Sequence, residues 1–233
     1  MDLKALRTKF IDLSGRFDLV VDTTDYVDAG ANFFIQAGQR FLDRAPYEGK
    51  DQYVRWKSTV TAGTTFVKNT AIRAVKSVRV ETVSDSYFMI KKKYGQLREE
   101  YGDIDGFPNT TAGAPRFYAP VSVRSADTPT IASETERGIF ILPPPDISYE
   151  IEIEALFSSA DLTDDTDVSF WTVAFPETLI QAAWYELERY YRNTAGMKDH
   201  LDSIRRDLQG IDFDEVEEEM AGLDSMQDSW RFE

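Results

Sequence analysis

Apolar residues near the start of the chain, Leu3, Leu6, Phe10, Leu13 and Phe17, recur at alternating spacings of three and four. That period places all five on one face of a helix, and Gly15 marks where the helix frays. A second helix follows, capped by Asp25, with Val27, Ala31, Phe34, Ile35, Gly38, Phe41 and Leu42 as its apolar stripe and Pro46 and Gly49 as its end. Gly30 and Gly38 lie on that stripe, where each costs about 1 kcal/mol of helix propensity relative to alanine. Close approach of a neighbouring helix explains tolerating them, and so does an incidental pair of small residues.

From Tyr53 to Ile90 the texture changes to threonine, valine and aromatic residues, with Val78 and Val80 alternating against Arg79 and Glu81. This predicts several antiparallel strands. Tyr94–Tyr101 is rich in helix formers but bracketed by Gly95 and Gly102, so it forms two turns at most. Residues 102–114 are dense in turn formers and read as an exposed loop; Phe107 at its centre either meets a partner or anchors the loop. Ile139–Leu142 reads as a strand stopped by Pro143, Pro144 and Pro145, because proline cannot donate to a ladder. Tyr149, Ile151, Ile153, Ala155 and Phe157 then alternate with Glu150, Glu152 and Glu154, which puts three carboxylates on one sheet face. The two runs suggest a hairpin joined by Pro143 to Ser148.

After an acidic turn, Asp161–Asp167, Phe175-Pro-Glu opens the strongest helix, with proline where its missing N–H costs nothing. Its stripe is Leu179, Ile180, Ala183, Trp184, Leu187 and Tyr191, and Asn193 and Gly196 end it. Met197, Leu201, Ile204, Leu208 and Ile211 form a narrow seam of barely two heptads, suited to pairing with another helix. Asp212–Glu233 concentrates Glu215, Glu217, Glu218 and Glu219 and ends in Trp230-Arg231-Phe232, residue types enriched at binding hot spots. The expected fold class is α+β. N- and C-terminal helices, 1–50 and 171–222, form a helical bundle around a β-rich antiparallel insertion, 51–170, that is sandwich or barrel-like, and 223–233 is a C-terminal tail.

At 233 residues with 42% hydrophobic content the chain can bury an ordinary core. It has no cysteine, hence no disulfide framework and no thiolate metal site. Met1–Phe10 carries Asp2, Lys4, Arg7 and Lys9 and lacks the apolar run of a signal peptide. No stretch approaches the roughly 18 to 20 uninterrupted apolar residues of a membrane span, so a soluble protein is expected, without a membrane partner. The net charge of −15 opposes tight binding to phosphate backbones. It suits simple solubility and is compatible with a channel through which DNA slides without sticking.

Candidate chemistry changes the picture little. The single histidine, His200, has no evident nucleophile beside it and reads as a surface or capping residue. Asp161–Asp167 superficially resembles a calcium loop but lacks the turn glycine and the closing glutamate, so a solvated turn is expected. No phosphate-cradling glycine loop occurs. Trp56, Trp171 and Trp184 lie beside apolar neighbours and read as core rather than as a sugar-binding face. The expectation is therefore a non-enzyme with no catalytic residues, no cofactor and no metal.

The block Asp25–Arg44 resembles the first block of tailed-bacteriophage head-to-tail adaptor proteins. Gly138-Ile-Phe-Ile-Leu-Pro-Pro-Pro, the alternating strand after it, and Phe175-Pro-Glu-Thr-Leu-Ile-Gln-Ala-Ala-Trp-Tyr-Glu-Leu-Glu-Arg-Tyr-Tyr-Arg-Asn extend the likeness, which is greatest to the tail-tubular type of short-tailed phages. The resemblance implies a structural virion protein of the neck between head and tail, assembled in the host cytoplasm. Its subunits would form a dodecameric ring below the portal that lines the DNA channel and provides a platform for tail attachment. The partners implied are identical subunits, the portal protein, tail or nozzle proteins, and DNA only in transient, non-specific passage. The resemblance gives Trp230, Arg231 and Phe232 a role in portal docking, and Phe107 is the loop residue for tail docking. The alternative is a tail-side completion protein or a carbohydrate-binding virion module.

Overall fold

The computed structural model describes residues 1–45, 53–82, 86–101, 112–124 and 135–229. The chain divides into two compact units, Met1–Lys50 with Ser159–Glu233, and Asp51–Ser158. The fold is α+β, with six α-helices and two four-stranded sheets among the described residues.

In the first unit, α1 (Leu3–Ser14) is capped by the Asp2 carboxylate, which accepts from Ala5 N–H, and ends at Gly15 in the left-handed region. Leu3, Leu6, Phe10 and Ile11 are buried, whereas Leu13 and Phe17, placed on the same face by their spacing, are exposed. The buried arc is turned toward Arg7 and Ile11, and a 100° helical step leaves Leu13 at its far margin. The helix α2 spans Ala31–Leu42. Its amide groups are served by Asp28, whose Oδ1 accepts from Gly30 and Asn32, rather than by Asp25, because the backbone first forms the Val20–Asp28 bridge and only then turns helical. Gly38 is where α2 crosses α5 (Pro176–Tyr190). A β-carbon there would lie 2.6 Å from the Ala183 nitrogen, so close helix approach is the reason for this glycine. Gly30 instead sits before the first turn at φ 135°.

The short α4 (Phe170–Ala174) opens with a capping box between Ser169 and Thr172. Pro176 occupies the first turn of α5, whose Leu179, Ile180, Ala183 and Leu187 are buried. Tyr191 closes α5 half exposed, beneath the Arg16 guanidinium at 4.4 Å from its ring centroid. The last helix, α6, runs Thr194–Ser229, so Gly196 lies inside it. Asn193 Oδ1 accepts from Gly196 N–H, so Asn193 serves the start of α6 instead of the end of α5. Ile204, Leu208 and Ile211 of the seam are buried against the shared core with α5.

The second unit holds β1 (Tyr53–Val60), β2 (Phe66–Lys68), β3 (Ile72–Glu81), β4 (Ser86–Phe88) and β5 (Ile90–Lys91). The eight-residue α3 (Tyr94–Tyr101), β6 (Phe117–Arg124), β7 (Thr135–Leu142) and β8 (Tyr149–Phe157) follow. One sheet has the order β1-β8-β3-β4 and is antiparallel, and the other has the order β2-β7-β6-β5 with β5 and β6 parallel. Neither closes into a barrel among the described residues. Val78, Val80, Ile151 and Ile153 of the first sheet and Tyr118, Ile139 and Ile141 of the second share one apolar cluster. The expected β7–β8 hairpin does not form. β7 is flanked by β2 and β6, β8 by β1 and β3, so the proline-rich link carries the chain from one sheet to the other. On the outer face, Lys57 Nζ is 2.7 Å from Glu81 and 3.7 Å from Glu152, and Lys76 Nζ is 3.2 Å from Glu154, so the carboxylate row is matched by lysines.

Candidate docking surface

Residues 159–169 hold the helical unit together through polar bonds. Asp43, buried just after α2, accepts from Trp171 Nε1 at 2.8 Å and from Ser159 Oγ at 2.7 Å through Oδ1, and from Ser159 N–H at 2.9 Å through Oδ2. Gln39 donates to the Ala160 carbonyl and accepts from Ser169 Oγ. Arg7, fully buried, donates to the Tyr26 carbonyl, Asn32 Oδ1 and Asp165 Oδ1. These are structural contacts, each a buried donor or acceptor given a partner.

The acidic turn closes on itself and on α1. Asp167 Oδ2 accepts from Thr163 N–H, Thr163 Oγ1 and Asp164 N–H, while the carbonyls of Asp165 and Asp167 accept from the first-turn amides of Lys4 and Leu3. The Asp164 and Thr163 amides hold the Asp167 carboxyl below the usual carboxylate value. A carboxyl with a lowered folded-state value stabilises the fold above its unfolded value, near pH 4, and loses that contribution as pH falls through the folded value. Asp167→Asn is therefore expected to remove part of the acid sensitivity, with a smaller drop in Tm between pH 6 and pH 3 than the unsubstituted chain.

His200 lies within α6, half buried, with Nδ1 at 2.8 Å from Gln181 Oε1 and its ring 5.5 Å from that of Trp184. It is not a cap, because six residues of helix precede it. Trp171 is fully buried, and Trp56 and Trp184 are half buried.

A groove of about 780 Å³ lies between α2, α5 and α6. Its apolar lining comes from Phe33, Ala37 and Phe41 on α2 and Leu201, Ile204 and Leu208 on α6. Phe33 is 66% exposed, although Phe34 and Ile35 beside it are buried in the core. The remaining lining includes Arg40 on α2, Arg44 in the turn just after it, Arg189 on α5 and Arg205 on α6, against one carboxylate, Glu186. Four cations around an apolar floor stand out on a chain of net charge −15. Among the described residues, Arg40, Arg189 and Arg205 pair with Asp161, Glu186 and Asp202, at 3.6, 3.3 and 3.4 Å.

Of the residues singled out from the sequence, Phe107, Trp230, Arg231 and Phe232 lie outside the described residues. The apolar stripes of the sequence signal burial and do not by themselves mark a groove, because its lining comes from three helices. A signal existed: Arg40 and Arg44 are one turn apart, and Phe33, Ala37 and Phe41 follow the same four-residue step beside the buried stripe.

No curated protein matches the chain. A family model described as SU10 adaptor protein matches residues 1–227, covering both helical segments and the sheet-bearing unit between them. With nearly the whole chain matched, this protein belongs to the SU10 adaptor protein family, a family of bacteriophage adaptors.

Proposed function

We propose that this chain is the head-to-tail adaptor of the virion neck. Copies of it form a ring below the portal, line the DNA channel and give the tail its platform. The observation that carries the reading is the family match, which includes both helical segments and the inserted sheets together. The two-unit architecture supports it, because one unit can make subunit contacts while the other is left for a different partner. Twelve subunits, as the resemblance implies, are part of the proposal, as are portal and tail proteins as partners and assembly in the host cytoplasm. DNA passes without specific contact, and the acidic net charge favours sliding over retention. The work is structural and involves no catalysis, cofactor or metal.

In this reading Trp230, Arg231 and Phe232 dock on the portal, and Phe107 meets the tail. Two large aromatics and an arginine supply the anchor types that dominate interface energies. Binding of the purified chain to its phage's portal tests this: a chain shortened to end at Asp224 is expected to bind at least tenfold more weakly. Unchanged affinity would assign portal docking to another surface.

A further inference from the structure

We infer that the arginine-rimmed groove between α2, α5 and α6 receives the acidic segment Asp212–Leu223 from the α6 helix of a second copy of this chain. This rests on the ring reading above and names the surface through which adjacent subunits engage.

Three observations point to that occupant. The groove has an apolar floor with Phe33 exposed at one side and Arg40, Arg44, Arg189 and Arg205 around it. Such a floor suits an amphipathic helix better than a phosphate backbone, which offers no apolar face. The segment Asp212–Leu223 carries Asp212, Asp214, Glu215, Glu217, Glu218 and Glu219 with no basic residue. Within it Phe213, Val216, Met220 and Leu223 recur at three, four and three, a helical stripe. Charge and pattern therefore complement the groove on both counts, and carboxylates can meet guanidinium groups in bidentate pairs.

The occupant comes from another copy because of the helix itself. α6 is continuous through Ser229, and its residues Leu201, Arg205 and Leu208 already line the groove. At about 1.5 Å per residue, the centre of 212–223 lies roughly 20 Å further along the same axis than Arg205, and it cannot return to its own groove without breaking the helix. A groove on one copy engaged by a helix from the next is a heterologous contact, the kind that closes into rings when the rotation allows.

The test uses charge reversal with rescue. Arg40, Arg189 and Arg205 have side chains 59%, 63% and 65% exposed, so Arg40→Glu with Arg205→Glu should keep the fold, which circular dichroism checks. Self-association, alone and on purified portal, is measured by sedimentation. The groove variant and a second variant, Glu217→Arg with Glu219→Arg, whose positions flank the apolar stripe on either side, are each expected to weaken it at least tenfold. An equimolar mixture of the two variants should recover association, because in an alternating ring each reversed groove meets a reversed segment and each native groove a native one. A chain carrying both pairs of substitutions should recover it as well. A folded groove variant that assembles as before overturns this inference while leaving the ring reading intact, as does loss without recovery in the combined chain. Loss of portal binding with unchanged self-association would assign the groove to the portal and overturn it too. If the unsubstituted chain does not self-associate alone or on portal, both readings fall.

Discussion

Gly38→Ala is expected to destabilise the helical unit by about 2–3 kcal/mol, despite the better helix propensity of alanine. The new β-carbon would sit 2.6 Å from the Ala183 nitrogen and 2.8 Å from the Ala182 carbonyl carbon. Both are backbone atoms of α5, so no side chain can swing aside, and the two helices must separate. Separation loosens the packing of Phe34, Ile35 and Leu42 on the core that α5 shares. Gly210 in α6 provides the matched control, because a β-carbon there meets nothing within 4 Å. Gly210→Ala is expected to leave stability unchanged or raise it by up to about 1 kcal/mol. Urea unfolding of the two variants reads the contrast directly, and equal behaviour would mean that the α2–α5 crossing does not depend on the absent side chain.

Asp43→Ala is expected to cost about 3–5 kcal/mol, a large fraction of the stability of a domain this size. The substitution leaves the buried Trp171 Nε1–H and the Ser159 N–H without their acceptor. A carboxylate just beyond a helix C-terminus is unfavourable in the helix field, so this residue's contribution lies in its hydrogen bonds. Asn does not substitute well, since both oxygens of Asp43 accept: whichever way the amide turns, its NH₂ faces a donor. Asp43→Asn is expected to lose about 1–3 kcal/mol and Asp43→Ala more. Chemical denaturation followed by tryptophan emission orders the three chains, and an asparagine variant as stable as the original would contradict the assigned bonds.

Much of the secondary structure is legible in the sequence because it follows from local periodicity. The alternating β8, the valines of β3, the two turns of α3 and Pro176 at the start of α5 all rest on neighbouring residues. Failures come where a distant segment decides. The proline run after β7 reads as a turn, but which sheet receives β8 depends on β1 and β3 occupying both its edges. Asp25 and Asp28 are both good caps, and only the bridge to Val20 selects the later one. Leu13 shares the apolar period of α1, yet the buried Arg7 turns the helix so that Ile11 goes inside instead. The acidic run 161–167 looks solvated in isolation. Its carboxylates at Asp161, Asp164 and Asp165 are exposed as expected, and what the run alone does not reveal is that its backbone carbonyls meet the first turn of α1, a partner more than 150 residues away. The candidate groove was legible only in part, through the one-turn spacing of Arg40 and Arg44, because Arg189 and Arg205 join them only when three helices pack together.

The most direct test of the adaptor role is the mass of what the purified chain forms with the portal of its phage. Native mass spectrometry is expected to show a complex that holds one 26.6 kDa chain for each portal subunit, twelve in a complete ring. A chain that remains a free 26.6 kDa species in the presence of portal would contradict it.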